Sequence, residues 1–339
     1  MRVTLDRSES GAPAAGHAVR DLFSTDEIFQ RLVATADEEF VRSDRLLFLS
    51  GLAAGLSIGL SFVARAAITA ETGSAILGNL LYPAGFLLIV LGRYQLFTEN
   101  TLTPVTLVLT RIASVPKLLH LWAVVLTANV AGAALAAMAF AWTPLFDPDT
   151  AEIARGFAAH GLEFSSSALF WKGLMAGWIV ASMVWLNHAA RETTARLLIV
   201  MVLMTLIPSA DLFHCIIGSC EALYLVFQGA APLGEAARFF GAVVLGNTVG
   251  GVLLVGILNF AQTRRQRFPD RDCDDLALTW REFMFGQGAG RPRVASTNGE
   301  SATGVEVASE SESLLDQPVM GTEDAEVSDE TIEEPPPAG

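Results

Sequence analysis

Long apolar segments fill the middle of this chain, and they constrain its fold more than any other feature. Between residues 46 and 261 they follow one another with few charged residues among them. A run of 18 or more apolar residues with few charges is typical of a helix that crosses a bilayer. Only 17% of the residues are charged, against about 25% in ordinary soluble domains. The sequence therefore predicts an integral membrane protein and excludes a soluble enzyme.

Six membrane spans can be placed, each long enough for a hydrocarbon core of about 30 Å. They cover residues 46–70, 75–113, 118–141, 167–188, 195–229 and 239–261. The second and fifth spans are interrupted by polar residues. The predicted fold is an all-α membrane protein whose six-helix transmembrane domain occupies residues 46–261.

Basic residues predict which way the chain is threaded, because cytoplasmic loops carry an excess of lysine and arginine. They concentrate in residues 1–45, in the second-to-third and fourth-to-fifth connections, and directly after the sixth span. Both termini are therefore predicted to be cytoplasmic. Residues 1–45 form an N-terminal arm, residues 262–294 a basic and aromatic cytoplasmic segment, and residues 295–339 an acidic tail. The predicted location is the plasma membrane, which in a bacterium is the inner membrane.

The N-terminal arm contains one predicted helix. Ser24 and Glu27 have the spacing of a capping box, and apolar residues then recur at helical intervals from Ile28 to Phe40. Such a helix is amphipathic. It either lies on the cytoplasmic interface or a neighbouring subunit, or simply packs on the bundle.

The charge distribution and the cysteines argue against several kinds of partner and cofactor. The formal net charge is −14, and no lysine or arginine occurs from Ala295 onwards. A tail this acidic and poor in apolar residues predicts disorder, and the acidity argues against nucleic acid. The cysteines form neither a disulfide framework nor a CxxC motif. We expect no cofactor and no metal.

The two interrupted spans resemble one another, which predicts an internal repeat. Each break contains Leu-Phe followed by a polar residue, with Thr98 in the first and His214 in the second. Each is followed by an Asn-x-x-Gly motif, beginning at Asn129 and Asn247, and preceded by a span with glycines four apart. Two copies of three spans must have opposite orientations, and inverted repeats with broken helices point to a transport site near the bilayer midplane. Thr103 and Pro104 are predicted to cap and begin the half-helix after the first break.

His214 is the candidate for the central chemistry of such a pathway. Broken backbone at membrane depth persists only where protein or a water-filled cavity satisfies its polar groups. The two half-helix N-termini should then present N–H groups to the centre, which suits an anion. An ionisable residue there is a functional hypothesis by default, although His214 can also serve only to tie the backbone together.

Other charged residues lie near the breaks. Arg93 and Glu99 flank the first break and can pair. Lys172 lies about two turns into the fourth span, and Glu221 follows His214 by seven residues. These four are candidate vestibule or gating charges. Arg65, near the end of the first span, is interpreted as a side chain that reaches back to the interface.

Three motifs together resemble the formate/nitrite transporter family. They are Leu96-Phe97-Thr98-x-Asn100, His214 in the fifth span, and the glycine-rich string that begins at Gly246 and contains Asn247. The departures indicate an outlying, YfdC-like branch: Arg93-Tyr94-Gln95 replaces Gly-Ala-Glu or Gly-Ala-Asp, and Glu99 replaces a glycine. The family's vestibule lysine has no equivalent at its usual place, and Lys172 is a deeper candidate.

The resemblance implies a homopentamer with an aquaporin-like fold and one pore in each subunit. It implies a small monovalent anion as the solute, such as formate, nitrite or a related small monocarboxylate. Leu96, Phe97 and Thr98 would form a hydrophobic slit, and His214 would protonate or bind the anion. Asn100 and Asn247 belong to the same predicted pathway.

Two alternatives remain open at this stage. One is a pore of the same fold for a neutral solute or water, with His214 purely structural. The other is a redox membrane subunit in which His120 and His188, both at cytoplasmic span ends, ligate a haem.

Overall fold

The computed structural model describes residues 22–263 and 277–286, and these are almost entirely helical. The helices of the first half are α1 (Thr25–Val41), α2 (Asp44–Thr72), α3 (Ala75–Leu81), α4 (Ala84–Gly92), α5 (Thr103–Leu109) and α6 (Val115–Trp142). Those of the second half are α7 (Pro148–Leu162), α8 (Ser166–Ala189), α9 (Thr193–Ser209), α10 (Cys215–Phe227), α11 (Leu233–Val249), a π-helical stretch (Gly250–Ile257), α12 (Leu258–Gln262) and α13 (Trp280–Phe285). The predicted acidic tail and much of the basic and aromatic segment lie outside the described residues.

The described helices account for the predicted spans. Five are long and apolar enough to cross a membrane: Asp44–Thr72, Ala75–Gly92, Val115–Trp142, Ser166–Ala189 and Leu233–Gln262. Two shorter apolar helices, Thr193–Ser209 and Cys215–Phe227, together occupy the predicted fifth span. The protein is therefore a multi-pass, all-α membrane protein.

Both predicted interruptions occur, but their limits differ slightly from the prediction. In the first, the N-cap of α5 is Leu102, so Thr103 is already helical and Pro104 follows it. In the second, Pro208 lies inside the last turn of α9, and the helix continues to Ser209. A proline inside a helix removes one backbone hydrogen bond and crowds the preceding turn, and here the helix ends one residue after it.

Glycines allow the long helices of each half to pack closely. A Cβ at Gly55 would collide with the backbone oxygen of Asn129, where α2 meets α6. A Cβ at Gly177 would collide with the backbone oxygen of Asn247, where α8 meets α11. Such small-residue contacts let backbones approach within a membrane, where no hydrophobic force drives helices together.

Helix α1 packs against the bundle, which is the second of the two roles that the sequence allowed. The Ser24–Glu27 capping box is formed at its N-terminus. Its apolar face buries Ile28, Phe29 and Leu32, and its C-terminal half lies against α5. It covers one end of the bundle, which we call the α1 side.

Helix α7 covers the opposite end, the α7 side, and the sequence analysis did not anticipate it. Asp147 caps its first turn by accepting hydrogen bonds from the backbone N–H groups of Asp149 and Thr150. Pro148 occupies the first helical position, where its missing N–H costs nothing. The helix packs on α2 and α10.

Candidate functional site

The two broken spans meet at a hydrogen bond in the interior of the subunit. Nε2 of His214 and Oγ1 of Thr98 are 2.7 Å apart, and both residues are buried. Both residues belong to the breaks: Thr98 lies five residues before the start of α5, and His214 directly precedes α10. The structure thus brings together two residues that are 116 positions apart in the sequence.

The other nitrogen of His214 determines which tautomer this geometry favours. His214 is the N-cap of α10, and its Nδ1 accepts a hydrogen bond from the backbone N–H of Ile217 at 3.4 Å. A backbone N–H only donates, so Nδ1 carries no proton and Nε2–H donates to Thr98. The hydroxyl proton of Thr98 is then available to donate to a solute. If both ring nitrogens carried a proton, the Nδ1–H would face the N–H of Ile217, and that hydrogen bond would be lost.

Each break begins with the same backbone conformation. Arg93 follows α4 with φ +55° and Asp211 follows α9 with φ +54°. Non-glycine residues adopt the left-handed region at an energetic cost, so it marks a place where the surrounding structure dictates the backbone. In both spans it turns the chain sharply out of the helix.

A buried asparagine secures each break with three hydrogen bonds. Asn129 accepts from the N–H of Phe97 (2.8 Å) and donates to the carbonyl oxygens of Gly51 and Gln95. Asn247 accepts from the N–H of Cys215 (2.9 Å) and donates to the carbonyl oxygens of Gly173 and Phe213. These bonds satisfy backbone groups that the broken helices leave without partners.

The matched bonds correct the register of the sequence comparison. The sequence analysis had paired the two Leu-Phe motifs, which sets Phe97 opposite Phe213. The two asparagines instead bond Phe97 and Cys215, each 32 residues before its asparagine. The Leu-Phe similarity is therefore displaced by two residues from the structural equivalence.

A cavity of about 350 Å³ reaches His214 from the α7 side. Its mouth is formed by His160 and Asp211, and Tyr82, Arg65 and Glu221 lie deeper in its wall. At the mouth, Asp211 binds Nζ of Lys172 at 2.7 Å and Nε2 of His160 at 2.9 Å. These charges compensate one another at the entrance.

A second cavity, of about 480 Å³, opens on the α1 side. Its wall contains Gln95, Glu99 and Thr103 from the first break, together with Val184 and residues of α1. Glu39 of α1 is buried there, and its carboxylate accepts a hydrogen bond from the Thr103 hydroxyl at 2.8 Å. Burial raises the pKa of Glu39 to about 7, although the bond from Thr103 acts in the opposite direction.

Buried apolar side chains lie between the two cavities. Phe86 packs edge-on against the His214 ring, with 5.0 Å between ring centroids, and also contacts Tyr82. Leu96 is fully buried, and Phe97 packs edge-on against Trp122 of α6. Neither Leu96 nor Phe97 belongs to the wall of either cavity. A solute that passes from one cavity to the other must therefore cross an apolar partition beside Thr98 and His214.

A family model described as formate/nitrite transporter matches residues 26–261, which include every span and both breaks. The chain belongs to the formate/nitrite transporter family. Members of this family carry solutes and are not enzymes. The two-cavity geometry is therefore that of a membrane transport protein.

Known relatives and solved structures agree with this assignment. The chain is 34% identical to the inner membrane protein YfdC of Escherichia coli over 244 residues, which are 70% of this chain and 78% of that protein. It is 25% identical to the formate channel FocA of Haemophilus influenzae, over 62% of this chain and 84% of that one.

Two solved structures share the fold. One, described as an FNT family ion channel, superposes with a TM-score of 0.63 at 20% identity and covers 70% of this chain and 99% of its own. The other, a pentameric formate channel with formate bound, gives 0.52 at 24% identity over 67% and 97%.

The charged candidates in this formate/nitrite transporter family member are distributed differently from the prediction. Arg93 pairs with Glu38 of α1 at 2.9 Å and not with Glu99, because its left-handed backbone directs it out of the break. Glu99 is half-buried in the α1-side cavity. Lys172 lies at the α7-side mouth, and Glu221 lies in the deeper wall of that cavity.

Asn100 and Asn247 were predicted to belong to the pathway, but they bond to the backbone or side chains of the breaks and line neither cavity. Asn247 makes the three bonds described above. Asn100 donates to Oε1 of Gln95 at 2.9 Å, and its backbone oxygen accepts from the indole N–H of Trp122. In the structure they fix the backbone next to Thr98 and His214.

Three residues of the site were missed by sequence reasoning. Arg65 does not reach for the interface but points inward, where its side chain is 17% exposed. Glu39 and Phe86 belong to continuous helices without any break or motif. An arginine inside an otherwise apolar span was the one signal available, and it supports a functional interpretation as well as an interfacial one.

The haem alternative finds no support in the site. Both ring nitrogens of His188 are occupied, by the Thr35 hydroxyl and the Val184 carbonyl oxygen. His120 contacts Asp44 at 3.0 Å. Within residues 22–263 and 277–286, no group of three or more His, Cys, Asp or Glu side chains is arranged to hold a metal ion.

Proposed function

We propose that this protein carries a small monovalent anion (formate, nitrite or a related small monocarboxylate) across the bacterial inner membrane, together with a proton. The observation that carries the proposal is the Thr98–His214 hydrogen bond, which lies between two cavities that open on opposite sides. The family and its formate channel relatives agree with a small anionic solute.

The partition supports coupling to a proton. An anion that enters an apolar constriction loses its hydration, which costs several kcal/mol even after relaxation. A neutral acid crosses at much lower cost. The Thr98 hydroxyl can donate a hydrogen bond at the crossing, and α10 begins beside it with the positive end of its dipole, which favours an anion.

The assembly and topology follow from the same family membership. We infer a homopentamer with one pathway in each subunit, since a pentameric formate channel shares this fold. We also infer an inverted repeat of three spans, supported by the matched asparagines and by the left-handed residues Arg93 and Asp211. The distribution of basic residues supports a cytoplasmic location for both termini.

A flux assay tests the proposal. Purified protein in proteoliposomes is offered formate, nitrite, acetate, lactate, hydrosulfide and a neutral solute of similar size. We expect uptake of at least one anion above protein-free vesicles, and more at acidic than at neutral pH. Uptake of the neutral solute alone would contradict it.

One observation favours a second candidate, a pore for a neutral solute. The neutral His214 ring already uses both nitrogens, and the α1-side cavity presents the carboxyl groups of Glu39 and Glu99 to an emerging solute. Where these groups are ionised, they repel an anion. The neutral control in the same assay distinguishes the two candidates.

A further inference from the structure

An ion pair in the wall of the α7-side cavity, between Arg65 and Glu221, lacks a direct hydrogen bond. Nη1 of Arg65 and Oε1 of Glu221 are 3.8 Å apart, too far for a hydrogen bond. Glu221 is only 7% exposed, and its Oε1 accepts no hydrogen bond from the residues that the structure describes. Buried charges are normally hydrogen-bonded as well as paired, because desolvation is costly.

The guanidinium of Arg65 is held in place by other contacts. Its Nε donates to Oδ1 of Asn79 at 2.9 Å, and its Cζ lies 3.8 Å from the ring centroid of Phe157. Arginine has five N–H donors, so these contacts fix the side chain and leave the terminal nitrogens directed at the cavity. A group that bridges the two side chains must accept a hydrogen bond from Arg65 and share a proton with Glu221.

The other charges around Glu221 are already compensated. Asp211 binds both Lys172 and His160 at the mouth. The titratable and charged groups near Glu221 are Arg65 of α2, Tyr82 between α3 and α4, His160 of α7, Asp211 and His214 of the second break, and Cys220 of α10 itself. Arg65 is therefore the cation best placed to receive an anion beside His214.

We propose that Arg65 and Glu221 form a subsite that binds the permeant oxyanion and gives it a proton before it reaches Thr98 and His214. This inference rests on the proposed function and names the proton donor for it. An incoming monocarboxylate or nitrite places one oxygen on the Arg65 guanidinium and another on the protonated Glu221 carboxyl group.

The proton transfer leaves the net charge of the subsite unchanged. The O–H bond of Glu221 breaks, a new O–H bond forms on the solute oxygen, and Glu221 becomes a carboxylate. Arg65 exchanges one anionic partner for the other, so the neutral acid can leave towards the partition. A proton from the bulk solution then reaches Glu221 through the cavity mouth and restores its carboxyl group.

The pH profile of uptake tests this assignment. Glu221→Gln keeps the shape and hydrogen-bonding capacity of the side chain but has no proton to give. We expect at least a tenfold loss of uptake near pH 7, and a smaller loss near pH 5, where bulk water already supplies the neutral acid. Glu221→Asp should recover part of the uptake at neutral pH.

A double variant separates proton donation from structural support. In Arg65→Gln/Glu221→Gln no charge is left unpaired, so the fold should be retained. If Glu221 only neutralises Arg65, the double variant regains wild-type uptake; we expect it to stay as low as Glu221→Gln.

Wild-type uptake and an unchanged pH profile in Glu221→Gln would overturn the inference. The proposed function would survive that result, because it fails only if the wild-type protein carries none of the anions.

Discussion

At the level of single residues, Asn129 and Asn247 have matching roles, since each satisfies three backbone groups of a broken span. An asparagine-to-alanine change leaves those buried groups without partners, and each costs about 1–3 kcal/mol. We expect Asn129→Ala and Asn247→Ala to lower the thermal midpoint in detergent by similar amounts. A large effect of one and none of the other would contradict the proposed repeat.

The apolar partition gives a second residue-level prediction. Phe86 touches His214 between the two cavities, so Phe86→Ala should raise anion flux and weaken selectivity against larger anions. Phe97→Ala is the matched comparison, since its ring packs on Trp122. If Phe97 gates the pathway, its variant also gains flux.

Lower stability without any gain of flux would instead show that Phe97 only packs. Truncation of a buried phenylalanine to alanine lowers the free energy of unfolding by about 3–5 kcal/mol. A thermal unfolding curve recorded beside the flux assay separates the two roles. Unchanged flux in Phe86→Ala would contradict the position of the partition.

At the level of elements, helix α1 is attached to the bundle through a buried carboxyl group. The pKa of Glu39 is raised to about 7 by burial, whereas a solvent-exposed glutamate has a pKa of about 4.3. The docked state thus binds a proton more readily than the undocked state. Docking of α1 should weaken as the pH rises from about 4.5 through 7, by up to about 3 kcal/mol.

Hydrogen exchange of the α1 backbone measures this effect. Protection should be higher at pH 5 than at pH 8 after correction for the intrinsic exchange rate. Glu39→Gln should keep the hydrogen bond from Thr103 and remove the pH dependence. Equal pH dependence in wild type and Glu39→Gln would show that another group is responsible.

The sequence allowed the spans and both breaks to be predicted because apolar length, proline and buried polar residues are local signals. His214 and Thr98, which meet in the structure, were singled out from the same local signals. Arg65 was misinterpreted because its partner Glu221 lies in the other half of the chain, and an arginine near a span end has an ordinary interfacial explanation. Helix α7 was missed because it is short and only moderately apolar, with Asp147 and Pro148 as its one clear signal.

At the level of the whole molecule, the fold and the family model place this protein among the formate/nitrite transporters. Many large apolar side chains on the outer faces of the helices are exposed in a single subunit, among them Leu60, Trp171 and Val202. Lipid or neighbouring subunits must cover such surfaces.

We expect a homopentamer, and native mass spectrometry of the detergent-solubilised protein measures its mass directly. A mass of five chains is the predicted result. A monomer or dimer that still carries anions would contradict the proposed assembly and leave the pathway within each subunit unaffected.

The central claim is that an anion crosses with a proton beside Thr98 and His214. Uptake of a permeant weak-acid anion into vesicles, measured for wild type and His214→Phe between about pH 7 and pH 5, tests it most directly. The account predicts that wild-type uptake rises as the pH falls, and that His214→Phe, assembled normally, shows none. Undiminished and pH-independent uptake by His214→Phe would contradict the account and favour the neutral-solute pore.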